Sequence, residues 1–322
     1  MKRVRAALVG ILISLTTTIF IFKLTETSLT WELLSRVNIF FIALAIMFQA
    51  IFWLLWAFRL KEIAKNLHFG LPFKSSLEIT LSSMFLAAIT PSSAGGEPLR
   101  IKMLSDRGMV LGESTFVVIT ERVLDSIFFI VALPIFLILT GFATELGYRV
   151  AIIFVIIFLI FIYLLYSILK DEKSIKRFSG LLKRIFKRER LVERVETELK
   201  NFRDGSLKLL SSPSKLIFLF STTALMWSAC FLIPSLILLS FNQDPHILPS
   251  YTAQLIIVVI SLIPLTPGSS GIAETSMAYL YSNFVDLSIL GSLVAIWRFI
   301  TYYLNIIVGA LSLNAGTLKN FK

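Results

Sequence analysis

The chain has 322 residues, 56% of them hydrophobic and 16% charged, with a mean hydropathy of +0.83. A soluble domain carries roughly a quarter charged residues, so the surplus apolar surface has to face lipid. The formal net charge of +11 suits nucleic acid or an anionic membrane surface; most of it flanks apolar stretches, which selects the membrane and excludes a nucleic-acid partner.

The first candidate span, Val4–Phe22, overlaps a basic start containing Lys2, Arg3 and Arg5, which is followed by an apolar run from Ala6 to Phe22, the layout of a secretory signal. No small-x-small cleavage pattern follows Phe22, and the run is read as an uncleaved first span. Crossing the hydrocarbon core takes ~20 apolar residues in a helix. Runs of about that length recur at Ile39–Phe58, Leu111–Gly141, Ala151–Leu169, Leu216–Ser240 and Leu287–Ala315, giving six full spans in all.

Two shorter apolar stretches, Leu77–Thr90 and Tyr251–Leu265, each end in a helix-breaking cluster. The first holds Pro91, Gly95 and Gly96, the second Pro267, Gly268 and Gly271. Helical sequence resumes at Glu97–Arg107 and at Ile272–Tyr281. Bare backbone in lipid costs several kcal/mol per unsatisfied group and survives only inside protein or beside a watery cavity. The two segments are therefore expected as re-entrant or broken helices; the alternative is two ordinary spans followed by surface loops.

Short cytoplasmic loops carry the excess of Lys and Arg. With the N-terminus inside and both broken segments returning to their own side, nearly all basic residues fall in the cytoplasm, including Arg59, Lys61, Lys65, Arg100, Lys102 and Arg107. Only Lys23, Arg36 and Arg149 remain outside, while Arg122 and Arg298 lie within the membrane. This topology places both termini in the cytoplasm. It also divides the single transmembrane domain, 1–322, into inverted repeat units at about 39–141 and 216–315. Each unit holds a Thr-Pro, a Gly/Ser break, a Glu and an Arg in the next span, with Glu97 to Arg122 and Glu274 to Arg298 at nearly the same separation. Inverted repeats with discontinuous helices are a recurrent transporter plan. The expected fold is an all-α polytopic bundle.

Between the units, residues 170–215 form a basic cytoplasmic connector in which Ile185, Val192, Val195, Leu199 and Phe202 recur at helical spacing. It reads as an amphipathic helix on anionic headgroups.

The charges within the spans carry the chemistry. On a helix, positions 121, 125 and 122 fall at about 0°, 40° and 100°, so Glu121, Asp125 and Arg122 share a face. Each ionised group near the bilayer centre costs ~2.5–3.5 kcal/mol on insertion scales, so these groups must face a cavity or one another. Arg298 has no acid on its own helix; Glu274, Glu97 and the Glu121/Asp125 pair are candidate partners. One reading is an ion-pair network that only locks helices. The other is a polar cavity for a zwitterionic or phosphate-bearing group. In it, Arg100, Arg122 and Arg298 would face phosphate, and Glu97, Glu121, Asp125 and Glu274 would receive an amine or a proton. Half-helix N-termini at Gly95-Gly96 and Gly271 would add anion-attracting N–H groups. Trp53, Trp56, Trp227 and the Tyr302-Tyr303 pair read as interface anchors or packing. Cys230 is the lone cysteine, His68 and His246 have no ligand spacing, and no nucleotide, hydrolase or CxxC motif occurs, so no metal, cofactor or catalytic residue is expected.

Together, Thr90-Pro91, Gly95-Gly96-Glu97-Pro98, Arg100, the Glu121-Arg122 to Asp125 motif, Pro267-Gly268 to Gly271, Glu274 and Arg298 resemble the flippase-like membrane family. That family includes the transmembrane region of lysylphosphatidylglycerol synthases, and the resemblance covers nearly the whole chain. It implies movement of aminoacylated phosphatidylglycerol or polyprenol-type lipids, with Glu97, Arg100, Arg122, Asp125, Glu274 and Arg298 lining the head-group path. No aminoacyltransferase domain follows the last span within these residues, so synthesis of the lysyl-lipid is not expected. The second break also departs from a tighter Gly-Gly-Glu. The expected function is a flippase or scramblase for a phosphate-bearing lipid in the cell membrane. The alternatives are a transporter of a small soluble anion and an intramembrane lipid-modifying enzyme. Membrane lipid is the expected partner, with a second copy of the chain and a separate lipid-modifying enzyme as further candidates.

Overall fold

The computed structural model describes residues 12–21, 37–90, 95–141, 189–262 and 266–319, with isolated positions at 23 and between 152 and 166. Among them every regular element is a helix. In chain order these are α1 (Leu12–Ile21), α2 (Ile39–Asn66), α3 (Phe73–Ala88), α4 (Gly96–Ser105), α5 (Leu111–Thr140), α6 (Glu189–Leu210), α7 (Pro213–Phe231), α8 (Ile233–Ser240), α9 (Ile247–Ser261), α10 (Ile272–Tyr281), α11 (Leu287–Arg298) and α12 (Leu304–Lys319). A π-helical turn, Phe299–Tyr303, joins the last two.

Four helical stretches are long and apolar enough to cross a membrane: Ile39–Asn66, Leu111–Thr140, Pro213–Ser240 and Leu287–Asn314. They match four of the six spans expected. The protein is an all-α polytopic membrane bundle. Of the first expected span only Leu12–Ile21 is described, and Ala151–Leu169 lies largely outside the described residues, as do Pro91 and positions 170–188 of the connector. At ~1.5 Å per residue, a thirty-residue helix such as α5 is about 45 Å long, so groups ten to fifteen residues from its start sit far from either end.

Both helix–break–helix elements are present as α3/α4 and α9/α10. Each first half-helix packs against a long helix of the other half of the chain: α3 lies along α12 and α9 along α5. Close approach of α3 and α12 needs Gly309, where a Cβ would meet the Leu81 carbonyl oxygen at 2.5 Å. Small residues at such contacts let backbones approach in the absence of a hydrophobic drive between helices.

The two breaks meet. The Gly268 amide donates to the Thr90 carbonyl at 3.2 Å, and the Tyr302 hydroxyl, carried by the π turn, donates to the Ala88 carbonyl at 3.1 Å. Gly268 has φ +55°, a region open to glycine, and a Cβ there would lie 2.5 Å from the Ala88 oxygen.

Apolar side chains form two large clusters. One gathers Leu60, Ile63, Leu104, Phe116, Val117, Leu124 and Phe202. The other gathers Phe128, Phe129, Phe231, Leu255, Met277 and Leu293. Along α2, α5 and α7 the buried charged residues fall between these clusters, with Gln49, Thr120, Thr222 and Thr223 beside them, and this polar layer holds the candidate site.

Candidate functional site

The site begins on α5, where Glu121 is fully buried and Asp125 nearly so. Buried carboxylates need partners, and both have them. Glu121 accepts from Arg100 Nη1 at 2.6 Å and from the Trp56 indole at 2.9 Å. Asp125 accepts from Arg59 Nη1 at 2.6 Å and from the Trp227 indole at 2.9 Å. Arg59 also donates to the Thr223 hydroxyl at 2.9 Å and lies 3.6 Å from Glu121. Arg100 adds a 2.7 Å bond to the Ser83 hydroxyl and stacks over the Trp56 ring at 4.6 Å. Five helices, α2, α3, α4, α5 and α7, thus supply one network.

Arg122 is more open, with a side chain one-third exposed. It pairs with Asp125 at 3.1 Å and with Glu97, itself half exposed, at 3.6 Å, while its Nε has no hydrogen-bond partner. The second cluster joins α10 and α11. Arg298 Nε donates to Glu274 at 2.8 Å and Nη2 donates to the Gly268 carbonyl at 3.0 Å. Its guanidinium lies 4.1 Å over the Tyr302 ring. Glu274 takes its second bond from the Gly271 amide at 2.8 Å, so it caps its own half-helix while holding Arg298. The π turn after Arg298 re-aims Tyr302 at the break, a use of π-helix common at functional sites.

Both clusters border one cavity of about 350 Å³, lined on its charged side by Arg100, Arg122, Arg298 and Glu97. Gln49, Gln254, Asn305 and Ser269 supply neutral polar groups, and Phe52, Met84, Ile257 and Leu262 supply apolar ones. Three guanidiniums therefore face the hollow against a single carboxylate, because Glu121, Asp125 and Glu274 stand behind their arginines. Such a wall can receive an anion and leaves apolar surface for an attached hydrocarbon.

Among the breaks, Gly96 and Gly268 line the cavity. Gly95 sits beside it, its amide donating to the Thr90 hydroxyl at 2.9 Å. Pro267 and Gly271 complete the second break. One expectation from sequence needs correction. Arg59, placed on the cytoplasmic side just after the span Ile39–Phe58, lies inside α2, which continues to Asn66, and is fully buried, since Asp125 and Glu121 neutralise it. Trp56 and Trp227, expected as anchors or packing, do pack against Phe52 and also donate to the buried carboxylates. Trp53 likewise bonds Asn305 at 2.8 Å. The acid content of α5 is the available signal for Arg59: two carboxylates and one arginine on one face require another cation. Among the described residues no group of three His, Cys, Asp or Glu comes together to hold a metal.

A bundle of apolar spans whose two discontinuous helices meet beside a charged internal cavity defines a multi-pass membrane protein. The family model described as "Lysylphosphatidylglycerol synthase TM region" matches residues 7–309, and the chain belongs to that family. It is 52% identical over 320 residues to a UPF0104 membrane protein of Archaeoglobus fulgidus, covering 97% of this chain and 98% of that one. UPF0104 membrane proteins of Pyrococcus horikoshii (91% of each chain) and Methanothermobacter thermautotrophicus (85% and 84%) are each 25% identical.

Proposed function

We propose that the protein moves the phosphate-bearing head group of a membrane lipid across the cell membrane, as a flippase or scramblase, while the tails stay in lipid. The observation that carries this reading is that Arg100, Arg122 and Arg298, drawn from both halves of the chain, line one cavity against the single carboxylate of Glu97, among apolar and amide side chains. Arginine matches phosphate through its planar fork of donors, and intramembrane charges facing a cavity mark substrate paths. A hollow of about 350 Å³ is at the small end of ligand sites and suits a head group rather than a whole lipid. The reading takes the two halves as inverted repeats with both termini in the cytoplasm, so that rocking one half against the other at the Thr90–Gly268 contact exposes the cavity to each side in turn.

The test is head-group translocation in proteoliposomes, using tail-labelled phosphatidylglycerol and chemical quenching of the outer leaflet. Wild type is compared with Arg122→Gln and Arg298→Gln, each first shown to elute as a folded species by size exclusion. Translocation should fall sharply in both variants. Equal rates in all three proteins overturn the proposal, and uptake of soluble phosphate esters without lipid movement replaces it with a soluble-anion transporter.

A further inference from the structure

The charges around Arg122 do not balance within the enclosed part of the site. Arg59, Arg100 and Arg122 face Glu121 and Asp125 at 2.6–3.6 Å, which leaves one positive charge in excess. The next carboxylate is Glu97, at the start of α4. Its contact with Arg122 is 3.6 Å, with a side chain 49% exposed, whereas the 2.6 Å pairs of Arg59 and Arg100 are sealed from solvent. The Arg122 Nε that faces Glu97 makes no hydrogen bond, and Glu97 and Arg122 line the same cavity. The matching position in the second half behaves differently: Glu274 is fully buried, bonds Arg298 at 2.8 Å and caps its own helix through the Gly271 amide.

From this asymmetry we infer that Glu97 is an exchangeable resident anion, occupying Arg122 until a phosphate group displaces it, while Glu274 is a permanent partner of Arg298. The inference rests on the head-group reading above and deepens it by naming the residue that competes with the substrate. A fixed negative charge beside the most exposed arginine of the first cluster lowers affinity for any anion. It also balances the excess positive charge of the empty site at little cost in stability, since both side chains keep access to water. Phosphate binding is then an ion exchange: Arg122 trades a carboxylate for a phosphate oxygen, and Glu97, being half exposed, turns to water. Arg59 makes this arithmetic possible, because without its charge the two buried acids would consume Arg100 and Arg122 completely.

The experiment measures binding to the full-length protein in detergent by the change in tryptophan emission, since the Trp56 ring lies 5.5 Å from the Arg122 guanidinium. The probes are dihexanoyl phosphatidylglycerol and, separately, inorganic phosphate, which distinguishes a lipid head group from a free anion. Glu97→Gln should bind the lipid probe about fivefold tighter than wild type, the scale of one partly exposed ion pair. Glu97→Asp should return toward wild type, and Arg122→Gln should lose most binding. Saturable binding to wild type with Glu97→Gln equal or weaker overturns the exchange role and leaves the head-group reading standing. No binding of either probe to wild type and Glu97→Gln overturns both. Tighter binding of phosphate alone assigns the exchange to a free anion and removes the lipid from it.

Discussion

Arg59 and Asp125, sixty-six positions apart in sequence, meet at 2.6 Å with the arginine wholly enclosed. The pair ties α2 to α5, and through Thr223 it reaches α7. Removing one member of a buried pair strands the other charge, which costs about 3–5 kcal/mol. Arg59→Met should therefore lower the unfolding temperature in detergent strongly, while Arg59→Met combined with Asp125→Asn should recover part of the loss. Thermal unfolding of the two variants decides this, and equal losses would refute the pairing.

Gly268 holds the two breaks together. Its φ is positive, and a Cβ would stand only 2.5 Å from both the Ala88 oxygen and the Tyr302 ring, which leaves no room for a side chain. Gly268→Ala should cost at least about 1–3 kcal/mol, the scale of a strained backbone position, and should separate the Thr90 and Gly268 backbones. Hydrogen exchange at the Gly268 amide, protected by its bond to Thr90 in the native protein, should accelerate in a Tyr302→Phe variant as well, because that hydroxyl clamps Ala88 from the same side. Exchange as slow as wild type in Tyr302→Phe would show that the hydroxyl plays no part in joining the breaks.

Much of this arrangement is legible in sequence, for identifiable reasons. Length and hydropathy specify long apolar helices, and Pro/Gly clusters specify breaks, so α5, the α7–α8 stretch and both broken elements fall near their expected bounds, while α2 starts where expected and runs on past Phe58 to Asn66. Of the partners left open for Arg298, Glu274 is the one that meets it, and Glu97 pairs with Arg122 instead. What sequence cannot supply is who stands behind whom. Glu121, Asp125 and Glu274 are expected among the cavity groups because periodicity gives a face but not a depth. Trp56 and Trp227 read as anchors or packing because an indole N–H has no signature until its acceptor is placed. Arg59 reads as the charged end of a span because it follows an apolar run, and only the three-dimensional placement of Glu121 and Asp125 reveals that it is a buried member of the network.

The connector is seated by one tight contact. Glu198 on α6 accepts from the Gly112 amide at the start of α5, and a Cβ on Gly112 would collide with the Glu198 backbone oxygen. The Phe116–Phe202 pair, with ring centroids 6.0 Å apart, extends the same interface. Gly112→Ala should push α6 off α5 without touching the charged network. Trypsin cleavage at Lys200, Arg203 and Lys208 should then run faster than in wild type, with unchanged tryptophan emission from Trp56 and Trp227. Unaltered cleavage would show that α6 is held elsewhere.

The two halves should differ in how they tolerate loss of their matched acids. Glu274 is enclosed, neutralises Arg298 and satisfies the Gly271 amide, so Glu274→Gln leaves a buried guanidinium short of its counter-charge. A loss of about 3–5 kcal/mol is expected. Glu97 is half exposed and pairs with Arg122 at 3.6 Å, so water can replace it; Glu97→Gln should change stability by less than about 1 kcal/mol. Denaturation of both variants side by side in the same detergent tests this without any transport assay. Comparable losses would mean that Glu97 is as structural as Glu274, and a tolerant Glu274→Gln would mean that Arg298 is held by Gly268 and the Tyr302 ring instead.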